Sequence, residues 1–465
     1  MFALVAGLVL CQPLPPPAAP GDRVFPLTLA AALQLAGAST LDVQIAGRQV
    51  EIAARVFDRA KLLWVPNLTV GTDSFRHTGL QQNFAGDILG SNRGTFMAGV
   101  GPNLVLPTAD AVFAPLAARQ ELRAREAALQ AVTNDVTLAV AVAYFDVQQA
   151  RGELAGATLA TTKAEEVSRR AEGLAAGLAP PLEATRARVE LSRRRQAEAT
   201  ARERWRVASA ELVRLLRLDP TTLVEPAEPP SLTVTVIDPA CPLSELVPLA
   251  LANRPELAGQ GALVQAAVAR LRAERNRPFL PTVAFRSVST NPSGSLGWGA
   301  FGGGPNYRLG NFAGRSDFDL QLLWEFQNLG LGNRARAGEQ QAAHAAATLE
   351  LLRTQDRVAA EVATAFAQAT AAAERLKLAE PTLKDAVELV DKSLEGLKTT
   401  RRAGDLLTLV VRPQEVVAAV QALGQANADY HAAVGDFNRS QFRLYRALGH
   451  PPTALPAVAP NVSGK

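Results

Sequence analysis

Apolar positions along this chain recur at two different intervals. Through long stretches they fall three and four residues apart, as at Leu129, Val132, Val136, Ala139, Ala143, Val147, Ala150 and Leu154. The same spacing returns at Val416, Val420, Leu423, Ala426, Tyr430, Val434, Phe437, Leu444 and Leu448. Sustained over many turns, it predicts long packed helices. In a few short runs the interval is two. In "FDLQLLWEF" (318–326), Phe318, Leu320, Leu322, Trp324 and Phe326 share one face, Asp319, Gln321 and Glu325 take the other, and Leu323 breaks the pattern. "FMAGVGPNLVL" alternates more weakly, with Phe96, Ala98, Val100, Leu104 and Leu106 together. Both runs predict strands with one apolar and one polar face.

These elements come in an order that is stated twice. Helical pattern covers about 27–63. Strands are predicted near 66–75 and 95–106, a long helix at about 116–176, and a returning helix at about 182–218 after the break "EGLAAGLAPPLEA". Prolines then crowd 219–255. The order restarts with a short helix near 257–277, strands near 280–290 and 315–326, a long helix at about 334–400, a break at "TTRRAGD" and a last helix at about 406–448. Val65-Pro66 and Leu280-Pro281 open corresponding strands, and "NDVTLAVAVAYFDVQQA" (134–150) aligns with "DRVAAEVATAFAQATAA" (356–372), Tyr144 opposite Phe366. The chain therefore divides into a leader at 1–26, a first repeat at 27–218, a proline-rich connection at 219–255, a second repeat at 256–450 and a proline-rich tail at 451–465. At 1.5 Å per residue the long helices reach roughly 90 Å, about the sum of a short and a returning helix. That arithmetic suits a wall of helices with strands at one end and turns at the other.

An alternating strand fits a soluble sheet packed on helices or a membrane barrel with lipid outside and water inside. Aromatic residues at both ends of 318–326 and lengths of nine to twelve residues favour the barrel. Four strands cannot close a barrel, and open strand edges are not tolerated in lipid. Spanning strands would therefore require oligomerisation, and three copies would supply twelve.

Composition sharpens this picture. Of 465 residues, 48% are apolar but only 5% aromatic. Alanine supplies much of the apolar share, which suits close helix–helix packing. Lys and Arg (48) nearly balance Asp and Glu (44), so charge gives no case for nucleic acid. Cys11 and Cys241 form no metal or disulfide pattern, and His77, His344, His431 and His450 do not cluster. The opening "MFALVAGLVLCQPLPPPAAPGD" reads as the apolar part of an export signal without its usual positive n-region, as a late-assigned start would explain. Cys11 after this run fits a lipidation site apart from Leu10, where a small residue is usual. A plain signal peptide with an incidental cysteine fits as well.

On four stretches the chain resembles the TolC-like outer-membrane efflux protein family, over about 27–450. They are the paired apolar-proline strand openings, "WEFQNLGLGNRARAGE" (324–339), "GLAPPLEATRARVEL" (177–191) and "GDLLTLVVRPQEVVAAVQAL" (404–423). The resemblance implies a mainly α fold with a small β part. Duplicated halves would form a long α-helical barrel and a trimer-shared, 12-stranded transmembrane β-barrel with four strands per protomer. It implies a passive exit duct for small molecules or ions in a tripartite efflux or type I secretion system. A homotrimer in outer-membrane lipid would work with a periplasmic adaptor (membrane fusion protein) and an inner-membrane pump. Gly177, Pro180 and Glu183 would form one periplasmic tip and Gly404 and Asp405 the other. Family members often carry acidic residues just after the second tip. Here Leu409, Val410, Val411, Arg412 and Pro413 stand instead, so an acidic ring is not expected. Asp405 would also suit an N-cap for a helix starting at Leu406, and Glu183 would complement a helix N-terminus. Phe96, Phe318, Leu320, Leu322, Trp324 and Phe326 would face lipid. The alternative is a periplasmic coiled-coil scaffold whose strands pack on its own helices.

Other motifs carry less. "GWGAFG" (297–302) spells G-x-G-x-x-G but lies between loop-like segments, where a dinucleotide site needs a strand before and a helix after. It is expected to be a loop. The arginines between Arg186 and Arg206 are interrupted by Glu190, Glu198 and Glu203 and predict a solvated helix face rather than a nucleic-acid stripe. No constellation of catalytic, cofactor-binding or metal-ligating residues stands out, and none is expected.

Overall fold

The computed structural model describes residues 23–174, 180–238, 241–286, 298–305, 310, 313–316, 318–403 and 406–450. The lipidation candidate Cys11 and the tip candidates Gly177, Gly404 and Asp405 lie outside them. The chain forms two compact units. One comprises Met1–Ala46, Leu129–Pro255 and Gln355–Lys465, the other Gly47–Ala128 and Glu256–Thr354. Each draws on both halves of the sequence.

The first unit is helical. It holds α1 (Leu29–Ser39), most of α3 (Thr108–Leu174), α4 (Pro181–Leu216), α5 (Leu243–Asn253), most of α7 (Leu331–Gly396) and α8 (Pro413–Ala447). The stripe predicted on α8 is buried at Val416, Val420, Leu423, Ala426, Val434, Phe437 and Leu444. On α3 the register departs from the expected stripe at one place: Ala139 is exposed and its neighbour Val140 fully buried. One core gathers Leu29, Leu33, Val140, Tyr144, Phe145, Leu212, Leu216 and Phe442. A second joins the ends of four helices through Val167, Ala187, Val390, Leu394, Val416 and Leu423. Glycines allow the closest approaches. A Cβ on Gly156 of α3 would lie 2.7 Å from Cβ of Asn427 on α8, and one on Gly424 would lie 2.4 Å from a guanidinium nitrogen of Arg194.

The proline-rich connection is more ordered than its composition predicts. Strand β4 (Thr222–Pro226) pairs in parallel with β1 (Arg23–Leu27). Polar side chains then fasten the following segment to α8. Buried Asn438 accepts from Val234 N–H at 2.8 Å and donates to Leu232 C=O at 2.8 Å. Gln441 accepts from Val236 and Ile237 at 3.0 and 2.9 Å. An extended segment has no ladder of its own, so these amides satisfy backbone groups that burial would otherwise orphan.

The second unit contains most of α2 (Leu41–Lys61), α6 (Pro255–Asn276), the start of α3 and α7, and a sheet. Strands β2 (Asn67–Gln82) and β3 (Ile88–Pro107) are longer than predicted and pair antiparallel along the whole of β2. Four further strands follow: β5 (Thr282–Arg286), β6 (Trp298–Pro305), β7 (Ala313–Ser316) and β8 (Asp319–Leu323). The "GWGAFG" run expected as loop thus lies largely in strand β6. Glycine has no side chain to alternate, so a glycine-rich strand shows no period of two.

Register reduces these six strands to four lanes. β5 pairs with residues 103–107 of β3 and β6 with residues 93–100 of the same strand, both antiparallel. They run end to end along one edge of β3. β8 pairs with β5 and β7 with β6 in the same way. The lanes are therefore β2, β3, β5 with β6, and β8 with β7. The outer edges of the first and last lanes have no strand partner among the described residues.

The last break also differs from expectation. Strands β9 (Thr400–Ala403) and β10 (Leu406–Leu409) pair antiparallel there. Helix α8 starts at Pro413, with Arg412 as its N-cap. The N-cap role expected of Asp405 falls away, because strand, not helix, follows it.

Candidate functional site

The sheet has two chemically distinct faces. Cross-strand partners project to the same side. From the pairing, Leu68, Val70, Phe96, Ala98, Val100, Leu104, Val283, Phe285, Leu320 and Leu322 share one face. The opposite face carries Asn67, Thr69, Asp73, Thr95, Asn103, Asp319 and Gln321, with Phe75, Met97, Val105, Phe301 and Leu323 as apolar exceptions. The apolar face is uncovered: Leu68, Val70 and Leu320 are 70%, 73% and 68% exposed. Phe318 stands directly before β8, with its ring 6.1 Å from that of Phe285. Trp324 and Phe326 do not belong to the strand. β8 ends at Leu323, and the two aromatics are exposed in the turn beyond it.

That turn is one of three short 3-10 turns at the same end of the sheet. They cover Leu62–Trp64 before β2, Arg277–Phe279 before β5 and Gln327–Gly330 after β8. In the third, Asn328, Leu329 and Gly330 all have positive φ (50°, 59° and 92°). For leucine this backbone costs roughly 1–2 kcal/mol. It points Leu329 outward, 97% exposed. Asn333, in the first turn of α7, holds the loop by accepting from Gln327 N–H at 2.8 Å.

In the helical unit, two helix starts lie side by side. Pro180 is exposed and is the N-cap residue of α4, with Pro181 at its first position. Glu183 is buried in the first turn, paired with Arg186 at 2.8 Å. Arg186 also donates to Gln414 of α8 at 3.1 Å. Further along, buried Glu190 accepts from Arg194 on its own helix and from Gln421 on α8, both at 2.7 Å. These ties between α4 and α8 were not visible in the sequence, since their residues stand 228 and 231 positions apart. On the opposite side Lys163 pairs with Asp391 at 2.8 Å, and Arg170 reaches the Leu394 carbonyl at 3.1 Å. The α4 arginines are mostly neutralised by acids, as at Arg195–Glu165, Arg202–Glu198 and Arg204–Glu153. This fits a solvated, ion-paired face.

Burial perturbs a few titratable groups of the helical unit. It raises the Tyr144 phenol, whose single O–H donates to Glu228 with the Leu27 carbonyl 3.1 Å away. It raises Asp146 despite the opposing Arg439 guanidinium 2.6 Å away. It lowers His431, against a smaller upward pull from Glu153. Among the described residues, no group of His, Cys, Asp or Glu is arranged to hold a metal ion. Two helical stretches, Leu29–Trp64 and Thr108–Leu174, are long and apolar enough to cross a membrane by composition. Their apolar residues Leu33, Val140, Phe145 and Val147 are already buried in the helical core.

Long helices and a small, two-faced, open-edged antiparallel sheet are also the fold of solved outer-membrane channels. Residues 32–216 match the family described as Outer membrane efflux protein. Over that segment the chain is similar to the TolC-like efflux channels of the outer membrane. Solved structures share the fold at low identity. A membrane protein from Pseudomonas aeruginosa is 18% identical over 90% of this chain and 92% of that one, with a TM-score of 0.73. The open state of the MtrE outer-membrane channel of Neisseria gonorrhoeae is 17% identical over 91% and 89%, with a TM-score of 0.70. The outer-membrane protein VceC of Vibrio cholerae is 16% identical over 90% and 96%, with a TM-score of 0.69. No curated protein matches the chain.

Proposed function

We propose that three copies of this chain join their sheets edge to edge into one twelve-lane β-barrel, through which solutes leave passively. The observation that carries this reading is the pair of unpaired outer edges on a sheet whose apolar face is bare. In lipid each unpaired backbone group costs several kcal/mol, so the sheet must close, and only further copies offer matching edges. Strands of 16 and 20 residues exceed the nine to eleven needed to cross a bilayer. In the closed barrel Phe96, Phe318, Leu320 and Leu322 face lipid, and Asp73, Asn103 and Gln321 face the aqueous lumen.

The helical unit forms the periplasmic part of the duct, and its helix starts at Pro180–Glu183 and Arg412–Gln414 form the tips. They meet a periplasmic adaptor there, and an inner-membrane pump supplies energy and selects the cargo. Gly177, Gly404 and Asp405 complete these tips.

Purified protein reconstituted in a planar bilayer tests the reading. Discrete conductance steps are expected, abolished by Leu320→Arg and retained by Gln321→Arg. Silence of the intact protein under opening conditions, or equal tolerance of both substitutions, overturns it.

A further inference from the structure

We propose that the turn Phe326–Leu331 and the start of α7 form a seat for a phospholipid at the rim of the membrane. The apolar turn takes the acyl chains, and Asn333, Arg334 and Arg336 take the phosphodiester. This rests on the reading that the sheet spans the bilayer.

The turn follows directly from β8, so it continues the last lane beyond the apolar face. Register puts it level with the other two 3-10 turns: Pro107, Thr282 and Leu323 align across the sheet. Trp64 and Phe279, exposed at those turns, mark the same level. Indole and phenyl groups in such a row suit the boundary between hydrocarbon and headgroups. The third turn goes further than the other two. Three successive left-handed residues hold Leu329 almost wholly in the open, flanked by Phe326 at 60% and Leu331 at 70% exposure. Gly332 lets the turn close on the helix, since a Cβ there would meet Gln327 at 3.0 Å. A non-glycine residue in this backbone persists only where the surroundings hold it, and here the strain displays one leucine.

The first turns of α7, which follow this wedge in the chain, carry hydrogen-bond donors. Arg334 and Arg336 are exposed, and neither has an acidic partner among the described residues. The nearest acid in sequence is Glu339, three positions beyond Arg336 with no salt bridge to it among the described residues, and Glu325 before the turn receives Gln327. Asn333 is 5% exposed, and its Nδ2 is buried without an acceptor. The N-terminal end of α7 adds partial positive charge. Two guanidinium groups, an orphan amide and a helix start, following an apolar wedge in the chain, match an anionic phosphodiester below its acyl chains. Arginine suits this role through its planar, bidentate geometry.

The full chain reconstituted in phosphatidylcholine vesicles containing phosphatidylglycerol tests the seat. One lipid or the other carries bromine near the acyl carbonyl, and quenching of Trp324 is isolated by difference from Trp324→Phe. Brominated phosphatidylglycerol is expected to quench Trp324 about threefold more strongly than brominated phosphatidylcholine at equal mole fraction. The preference is expected to vanish in the Arg334→Gln/Arg336→Gln variant, and in the intact protein at high salt. Equal quenching by the two lipids, or a preference that survives both treatments, overturns the seat. A Leu320→Trp reporter keeps this separate from the spanning reading. Quenching there by either lipid with no preference at Trp324 removes the seat alone, whereas absence of quenching at position 320 removes the spanning sheet.

Discussion

His431 of α8 lies flat against Gly152 of α3: a β-carbon on that glycine would fall 2.4 Å from Nδ1 of the imidazole. The same nitrogen is buried and accepts no hydrogen bond. The contact is thus one of shape, and it fixes how closely two long helices approach.

Replacing Gly152 by alanine tests that contact with a reversed sign. In an open helical position the change stabilises by up to about 1 kcal/mol, through helix propensity. Here the ring must move, and overpacking of this kind costs typically about 1–3 kcal/mol. Gly173, with nothing near its absent side chain, is the control. Thermal unfolding in detergent is expected to show a lower midpoint for Gly152→Ala and an unchanged or higher one for Gly173→Ala.

Burial holds His431 below its ordinary value. A depressed pKa means the folded state favours the neutral ring. Its stabilising contribution is therefore complete above the unfolded value of about 6.5 and is lost as pH falls below it. Unfolding followed from pH 8 to pH 5 is expected to show a fall in stability that His431→Gln reduces. An identical pH profile in the variant counts against this assignment. Asp146, whose raised pKa acts in the opposite direction over the acid range, makes the comparison with the variant necessary.

Asn438→Ala removes the two hydrogen bonds that hold residues 232–234 against α8. Leaving a buried donor and acceptor unpaired costs about 1–3 kcal/mol each. Hydrogen exchange is expected to accelerate first at Val234, with a smaller change at Val236 and Ile237, which Gln441 holds. Uniform acceleration over the whole helical unit would show that the connection has no local stability of its own.

Arg186→Glu reverses the charge that joins Glu183 to Gln414 and, in the docking proposed above, is expected to weaken adaptor capture at the paired helix starts. The readout is export supported in cells by the variant, with the amount of assembled protein measured alongside. Unchanged export at normal protein levels removes this residue from the docking surface.

Much of the helical architecture could be read in advance because amphipathic period survives even in alanine-rich sequence. The stripe on α8 is written in Val416, Val420 and Leu423 and is buried where written. The strand lanes were legible where branched or aromatic residues alternate, as at 318–323, and illegible where glycine carries the strand, as in β6. Alternation also ran on too far. Trp324 and Phe326 keep the period of two, yet the left-handed turn at Asn328–Gly330 stops the ladder, and a pattern of side chains does not report backbone hand. The helix start at Pro413 was available in principle, since proline favours the first turn of a helix. The apolar run Leu406–Val411 concealed it. The pairing of β1 with β4 and the ties at Asn438 and Arg186 join residues roughly two hundred positions apart, and no local pattern encodes them.

The bare edges of the four-lane sheet have a consequence before assembly as well as after it. A newly exported subunit carries two adhesive margins and a greasy side through an aqueous compartment, which calls for an escort that masks them. In the proposed three-copy barrel, a copy with a damaged margin spoils the two sound ones beside it. Damage at Leu68–Val70 or Leu320–Leu322 would therefore be dominant in a mixed population, with surviving activity falling as the cube of the intact fraction.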